Sequence, residues 1–363
     1  IMMRRRIAVG ALLLLLLVVA GCGTEPISSN SENQATSPQI TGEESMLLVL
    51  EPIAPEEAHE QEDSVTESEI STQSEEAEPV ATASEDSCIL YLSRNFGREI
   101  LDSQQVKVNS AGSLMDYMRG EWLVKTGYGG AFVQGINGME STNSSGQRFD
   151  WFFYVNGVAA PVGANQINPS PGHIIWWDYH PWSNGPGQPA IIGCYPQPLK
   201  DSGVLILATQ RWMELARQCR EAMGASGIRS VEIADLIQNI PLLERPTTPV
   251  MVIGAWTELE EYSYFQEWNE SYRRNGSSVH FTSNGVELLA VDGKIKRVLG
   301  EGTGVIVASG KGLGDNNPLW LVAGFDDQGV KEAARILCSH PEELRWKYGL
   351  AVQGGQIIAL PAD

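Results

Sequence analysis

The chain has 363 residues, of which 42% are hydrophobic, so it is long enough for more than one folded domain. Its formal net charge of −20 is unevenly distributed, because residues 25–87 contain seventeen Asp or Glu and no Lys or Arg, while residues 1–24 contain three Arg. Residues 88–363 therefore carry only −6. They lack the basic excess that nucleic-acid binding requires, and we expect no nucleic-acid partner.

Residues 1–22 have the pattern of an export signal. Three arginines at positions 4–6 precede an apolar segment, residues 7–20, which is shorter than the roughly 20 residues of a membrane-spanning helix. The segment ends in Val19-Ala20-Gly21-Cys22, which resembles the lipobox of bacterial lipoproteins. The resemblance implies cleavage before Cys22, a lipid on its thiol, and a protein anchored to the extracytoplasmic face of the cell membrane. The alternative is an uncleaved anchor helix with an incidental cysteine.

Residues 23–87 form an acidic segment rich in Glu, Ser, Thr and Pro, without aromatic residues. Such a composition cannot bury enough apolar surface to offset the loss of chain entropy on folding. We expect a disordered, self-repelling tether that holds the folded part away from the membrane.

Residues 88–183 combine strand patterns with one helix. The predicted elements are a strand at 89–92, its hairpin partner at 97–108, a helix from Ser113 to Trp122, an extended segment at 131–136, an aromatic strand at 149–154 and a strand at 173–179. Asn156-Gly157, after the aromatic strand, is a strong signal for a tight hairpin turn.

Several motifs of this segment resemble the transcobalamin-like C-terminal domain of bacterial surface proteins. The runs are Gly129-Gly130-Ala131-Phe132-Val133, Ile136-Asn137-Gly138, Asp150-Trp151-Phe152-Phe153-Tyr154-Val155-Asn156-Gly157, Val162-Gly163-Ala164 and Ile174-Ile175-Trp176-Trp177-Asp178-Tyr179. The resemblance implies a β-grasp-like α+β fold, in which a sheet wraps around one helix. It also implies cobalamin or a related corrinoid as the ligand.

Residues 189–363, after a turn-rich boundary at 183–189, alternate apolar strands with helices. We expect strands at 204–208, 249–254, 304–309 and 319–324, helices at 210–223, 258–274 and 329–338, and an antiparallel excursion at 278–299. The alternation predicts an α/β domain with a mostly parallel sheet and helices on its faces. We recognise no family over this half.

The cysteines other than Cys22 leave two interpretations open. They are Cys88, Cys194, Cys219 and Cys338. An even number outside the cytoplasm permits disulfides, but four in so long a segment do not form a disulfide scaffold, and buried free thiols are at least as compatible with the pattern. No CxxC spacing indicates a metal site.

No catalytic motif is present, so we do not expect an enzyme. A catalytic site at the carboxyl ends of the strands in residues 189–363 is a lesser alternative. Asp178 and His180 point to the same side of their strand. They are interpreted as a solvated strand end, with a coupled acid–base pair as the alternative.

The aromatic residues of the segment 88–183 are the main functional signal. Adjacent strand residues face opposite ways, so Trp176 and Trp177 cannot both enter one core. One should pack against the helix while the other faces outward, where the C-terminal half, a ligand or a protein partner covers it. The candidate ligand-binding residues are Tyr128, Gly129, Gly130, Trp151, Phe153, Trp176, Trp177, Tyr179 and His180.

The sequence thus predicts an extracytoplasmic, lipid-anchored ligand-binding protein, with cobalamin or another corrinoid as the ligand and a vitamin transporter as a partner. His180 would supply an axial nitrogen to the corrinoid cobalt, which is the metal role we expect. The alternative is a cell-surface adhesion or envelope-assembly protein whose aromatic face binds a protein or a glycan.

Overall fold

The fold is described from a computed structural model that covers residues 86–363 except 131, 145 and 183–186. The export signal, Cys22 and nearly all of the acidic tether therefore lie outside the described residues. None of the helices in the described part of the chain has both the length and the apolar character needed to cross a membrane.

Residues 86–182 are called the N-terminal half below, and residues 189–363 the C-terminal half. The described residues of the N-terminal half contain one α-helix and nine strands. They are β1 (Ser87–Arg94), β2 (Glu99–Lys107), α1 (Leu114–Glu121), β3 (Val124–Gly127), β4 (Phe132–Ile136), β5 (Met139–Glu140), β6 (Thr142–Ser144), β7 (Gln147–Val155), β8 (Val158–Ala159) and β9 (Ile174–Trp182). Helix α1 begins where predicted, because Ser113 and Asp116 cap each other's backbone N–H groups. Asn156 and Gly157 both have positive φ and close the β7–β8 hairpin.

The main sheet of this half has the strand order β2-β1-β9-β7-β6, with β8 paired to β7. Its central strands β1 and β9 run parallel, and the remaining pairs are antiparallel. Helix α1 packs on one face, where Leu114, Met118 and Trp177 belong to one buried cluster. A small sheet, β3-β4-β5, completes this half. The expected arrangement of a sheet around one helix is confirmed.

The C-terminal half alternates helices and strands. They are α2 (Leu199–Ser202), β10 (Val204–Ala208), α3 (Met213–Ala225), β11 (Val231–Asp235), α4 (Leu236–Glu244), β12 (Val250–Ala255), α5 (Trp256–Leu259), α6 (Ser263–Glu270), β13 (Val279–Thr282), β14 (Gly285–Leu289), β15 (Ile295–Leu299), β16 (Gly304–Ser309), β17 (Leu319–Gly324), α7 (Asp327–Ser339), β18 (Gly349–Gln353) and β19 (Gln356–Leu360).

The large sheet of this half has the order β11-β10-β12-β17-β16-β18-β19. The first four strands run parallel, and the last three add antiparallel pairs at the other edge. Every residue of β12, β16 and β17 is buried, as expected for strands covered on both faces. Helices α3 and α7 belong to the core on one face, and α4, α5 and α6 to the core on the other. The α/β class is confirmed.

Two details of the C-terminal half differ from the sequence prediction. The prediction of a single helix over residues 258–274 is wrong. Helix α5 ends at Leu259, and Tyr262 has an extended backbone that precedes a second helix, α6. The pairs β11–α4 and β18–β19 were not predicted. Strand β11 is short and lacks fully buried residues, and α4 contains Pro241, so neither gives a strong periodic signal.

A shared apolar cluster joins the two halves. Its buried members are Phe96, Tyr154, Ala159 and Trp176 from the N-terminal half, and Ile191, Cys194 and Tyr348 from the C-terminal half. The C-terminal half therefore covers the sheet face that lies opposite α1. Division into domains at 88–183 and 189–363 stays a prediction.

Candidate ligand-binding cavity

Strand β9 presents its two adjacent tryptophans to different surroundings. Trp177 is buried on the α1 side and stacks on Phe153 with ring centroids 4.4 Å apart. Trp176 is completely buried on the other side, where it meets Trp346 and Tyr348 edge-on at 5.4 Å. The sequence left open whether the C-terminal half, a ligand or a protein partner covers the outward-facing tryptophan. The structure shows that the C-terminal half covers Trp176.

Asp178, between these tryptophans and the strand end, is a fully buried carboxylate. It accepts hydrogen bonds from the backbone N–H groups of Phe96 (2.9 Å) and Gly97 (3.0 Å), and from the Ser93 hydroxyl. A buried charge is tolerated only when such donors replace water. The interpretation of Asp178 and His180 as a solvated strand end is therefore wrong, because the first bend after β1 folds back over the carboxylate.

His180 is fixed by this carboxylate and by two aromatic rings. Its Nδ1 lies 2.7 Å from Asp178 Oδ2, and its ring is stacked between Phe96 and Phe152 with centroid distances of 4.3 Å to each. Because the carboxylate accepts, Nδ1 carries a proton, and Nε2 is the ring nitrogen that is left for another contact. Nε2 has no hydrogen-bond partner in the described part of the chain.

Two buried tyrosines complete the surroundings of the carboxylate. The Tyr348 hydroxyl is 3.4 Å from both Asp178 Oδ2 and His180 Nδ1. Burial raises the pKa of Tyr348 well above its usual value, and the nearby Asp178 charge raises it further. Burial likewise raises the pKa of Tyr154. Both phenols therefore stay protonated at neutral pH, and Tyr348 serves as a donor to Asp178.

A cavity of about 660 Å³ lies beside His180, at the edge of the main sheet. Strand β6 pairs with β7 only as far as Phe149, and β8 pairs with it only from Tyr154 onward. The edge of β7 at residues 150–152 is therefore not covered by another strand of the described chain, whereas the carbonyl of Phe153 accepts from the Ala160 N–H group at 3.1 Å. The aromatic lining includes Trp151, Phe152, Phe153, Trp177, His180 and Trp182. Residues 159–164 supply a further wall, the boundary segment contributes Gln188, and the C-terminal half contributes Val291 and Leu313.

Two residues that line this cavity carry buried polar atoms without a partner among the described residues. They are Trp177, through Nε1, and Gln188, through Nε2. Both atoms are donors, whereas His180 Nε2 is an acceptor. An unpaired buried polar atom costs about 1–3 kcal/mol, so a ligand that supplies the missing partners gains that free energy on binding. The cavity is thus apolar in area and carries unused polar groups.

The rim of the cavity is apolar and open to solvent. Phe132, Val162, Trp182 and Leu313 are its exposed members. Exposed apolar side chains gathered at one opening mark a place where a ligand or partner is bound.

The predicted site residues fall into two groups. Those that line the cavity are Trp151, Phe153, Trp177 and His180. Those that lie elsewhere are Tyr128, Gly129 and Gly130 in an exposed turn, Trp176 in the seam between the halves, and Tyr179, whose hydroxyl donates to Glu140 O. Sequence reasoning missed Phe152, Val162, Trp182, Gln188 and Leu313 as lining residues. The first three carry the same aromatic or apolar signal as the residues that it did select.

The carboxyl ends of the parallel strands in the C-terminal half carry a polar cluster of their own. Arg211 pairs with Glu258 (3.1 Å) and with Asp327, and Thr209 donates to Glu258 at 2.9 Å. These side chains satisfy one another. Within the described ranges, no group of three or more His, Cys, Asp or Glu is placed to hold a metal ion.

The comparison with protein-family models matches a segment of the N-terminal half. Residues 111–181 match a domain of unknown function, DUF4430, and this range contains α1, β7 and most of β9. A crystal structure of a "putative metal binding protein" from Ruminococcus gnavus ATCC 29149 is similar at 15% identity and a TM-score of 0.22, covering 27% of this chain and 100% of that chain. We draw no inference from a structural likeness of this size. No curated protein matches the chain.

Proposed function

We propose that this protein captures a ligand with a planar ring in the cavity beside His180 and presents it without converting it. The observation that carries the proposal is an aromatic cavity of about 660 Å³ beside His180, two lining residues of which, Trp177 and Gln188, have buried polar atoms without a partner among the described residues. The volume falls in the range of about 300–1,000 Å³ that is usual for small-molecule sites.

A corrinoid is the ligand we propose, because its chemistry complements these atoms. The amide groups around a corrin ring can accept from Trp177 and Gln188, and its cobalt can take the lone pair of His180 Nε2. The contact between His180 and Asp178 is the arrangement that commonly orients a metal-binding imidazole. A whole corrinoid is larger than the cavity, so only part of it would enter.

The test is a fluorescence titration of the full chain with cobinamide and with cobalamin. Trp151, Trp177 and Trp182 line the cavity, so binding should quench tryptophan emission. Val162→Glu places a charge on the exposed rim and should weaken binding at least tenfold, about 1.4 kcal/mol. Leu123→Glu is the matched control, because Leu123 is exposed and does not line the cavity.

The outcomes test separately whether the ligand is a corrinoid, whether it binds in the cavity, and whether His180 bonds to its cobalt. No binding of either corrinoid at tens of micromolar would rule out the corrinoid. Equal binding by Val162→Glu and the wild type would rule out the cavity as the site. The absorbance spectrum of bound cobinamide should differ between the wild type and His180→Gln. Identical spectra would leave His180 as a wall residue without a bond to cobalt.

We also propose that the protein works on the extracytoplasmic face of the cell membrane, where a vitamin transporter would receive the ligand. The support is the lipobox-like sequence that ends at Cys22. In cells, the wild type should fractionate with the membrane and incorporate a labelled fatty acid. Cys22→Ala should lose the label. A wild type that carries no label would contradict lipid anchoring.

A second candidate function is adhesion or envelope assembly through a protein partner. The observation in its favour is the edge of β7 at residues 150–152, which no strand of the described chain covers, because an open edge can accept a strand from another protein. Phe132 at the rim extends to exposed Tyr128, with ring centroids 6.2 Å apart. A defined envelope protein that binds the wild type and Leu123→Glu but not Val162→Glu, with no corrinoid binding, would favour this function.

A catalytic role would appear as a chemical change of the corrinoid after it is incubated with the protein. We expect the corrinoid to be recovered chemically unchanged by mass spectrometry after prolonged incubation. Conversion that depends on residues at the strand ends of the C-terminal half, such as Glu258, would favour an enzyme.

A further inference from the structure

Two cysteines that are far apart in the sequence meet in the core of the C-terminal half. The sulfurs of Cys219 and Cys338 lie 3.2 Å apart, although 119 positions separate them. The other described cysteines have no such neighbour. Cys88 is buried in the cluster beside α1, and Cys194 is buried in the seam between the halves.

The packing of α3 against α7 produces this contact. Cys219 belongs to the buried stripe of α3, together with Ala216 and Met223. On α7, Ala334 lies one turn before Cys338 and is completely buried. Small side chains allow two helices to approach closely, so the sulfur atoms meet without bulky neighbours between them.

We propose that Cys219 and Cys338 form a disulfide that joins α3 to α7 when the protein meets a thiol-oxidising environment. Bonded sulfurs are about 2.05 Å apart, so the two atoms need to move about 1 Å closer than in the reduced protein. Changes in the side-chain torsions of two cysteines cover such a distance. The inference concerns the C-terminal core and does not depend on the proposed ligand.

The different exposure of the two thiols sets the order of the reaction. By distance alone either thiol could donate to the other, but Cys219 is completely buried while Cys338 is partly exposed. The hydrogen bond with Cys338 and the burial of Cys219 raise the pKa of Cys219 well above its usual value. The same hydrogen bond lowers the pKa of Cys338. Cys338 is therefore the thiolate that reacts first.

The oxidant is a disulfide, either a small molecule such as oxidised glutathione or a thiol–disulfide oxidoreductase. The Cys338 thiolate attacks one sulfur of this disulfide, forms a mixed disulfide and releases one thiolate. The Cys219 thiol gives up its proton, which the released thiolate accepts, and its sulfur then attacks the Cys338 sulfur. The second thiolate leaves and takes a proton from water. Two protein thiols are oxidised, and one disulfide is reduced to two thiols.

The bond would stabilise the fold by restricting the unfolded chain over a long loop. Closure of a loop of this length should raise the Tm by roughly 5–10 °C. The compartment proposed for this protein is one in which disulfides persist.

The experiment uses the full chain, purified with reductant and then exposed to oxidised glutathione. After denaturation, free thiols are alkylated and the peptides are mapped by mass spectrometry. We expect Cys88 and Cys194 to be alkylated and the peptides of Cys219 and Cys338 to be linked. The Tm of the oxidised protein should fall on adding dithiothreitol.

Three variants complete the design. Because Cys338 is partly exposed, the Cys338→Ser variant should fold. Its Tm should not respond to reductant. Cys88→Ala and Cys194→Ala should keep the linkage. Full alkylation of Cys219 and Cys338 after oxidation, or glutathione retained on Cys338 without transfer to Cys219, would overturn the proposal. Each of these results is independent of corrinoid binding.

Discussion

Trp176 and Trp177 are neighbours on β9, yet one belongs to the seam between the halves and the other to the wall of a cavity. Both side chains are buried. They differ in their polar atoms: Trp176 Nε1 donates to Ser93 Oγ at 2.7 Å, whereas Trp177 Nε1 has no partner among the described residues. Burial alone therefore does not distinguish a structural aromatic residue from a binding one.

The same contrast extends to the groups around the two tryptophans. On the Trp176 side, the Asp178 carboxylate is satisfied by backbone N–H groups, a hydroxyl and His180. At the cavity, Gln188 Nε2 and His180 Nε2 remain unpaired within the described chain. The hydrogen-bond network of Asp178 is complete, whereas the lining of the cavity keeps polar atoms that a ligand could pair.

The largest effect that tests this comparison comes from two matched substitutions, Trp176→Phe and Trp177→Phe. Each removes the same ring area, but only Trp176→Phe breaks a buried hydrogen bond. Trp176→Phe should lower the free energy of unfolding by about 1–3 kcal/mol more than Trp177→Phe does, as measured by urea denaturation.

Ligand binding should respond in the opposite way. Trp177→Phe removes a donor that the ligand would use and should weaken corrinoid binding, whereas Trp176→Phe should leave the affinity unchanged. Equal losses of stability in the two variants, or a loss of affinity in Trp176→Phe alone, would show that the two faces are not distinct.

A smaller effect is expected from Tyr348→Phe at alkaline pH. Burial and the Asp178 charge raise the folded-state pKa of Tyr348 above the unfolded value of about 10. The stability that Tyr348 contributes is therefore complete below pH 10 and is lost as the pH rises further. Above pH 10, the free energy of unfolding should fall less steeply in Tyr348→Phe, by up to about 1.4 kcal/mol per pH unit.

Denaturation curves between pH 9 and 11 measure this slope, with Tyr117→Phe as the control. This control makes the same change of side chain at a hydroxyl that hydrogen-bonds with the Asn109 backbone instead of a buried carboxylate. At neutral pH, Tyr348→Phe should cost less than about 1 kcal/mol, because its hydroxyl contacts are long. Identical slopes in the wild type and Tyr348→Phe would contradict the raised pKa of Tyr348.

The local elements of the fold could be predicted wherever one short-range signal dominated. The capped start of α1 at Ser113, the turn at Asn156-Gly157 and the apolar strands β10, β12, β16 and β17 are such cases. The alternation along β9 also correctly placed Trp176 and Trp177 on opposite faces. Strand β11 was missed because its side chains show no clear burial pattern.

The candidate site could be predicted only in part, because its pieces come from distant segments. Trp151, Phe153, Trp177 and His180 were identified from their aromatic strands. Gln188 reaches the same cavity from the boundary segment and Leu313 from the C-terminal half, and no local pattern links them to it.

The sequence by itself thus determined the strands and helices with a strong short-range signal, the alternation of side chains along each strand, and the mild charge of residues 88–363. Tertiary structure decided which face of β9 the C-terminal half covers, that Asp178 and His180 are buried together, and that Cys219 meets Cys338. The physical reason is that propensity and periodicity act over a few residues. Burial and pairing depend on contacts between segments that the chain brings together only on folding.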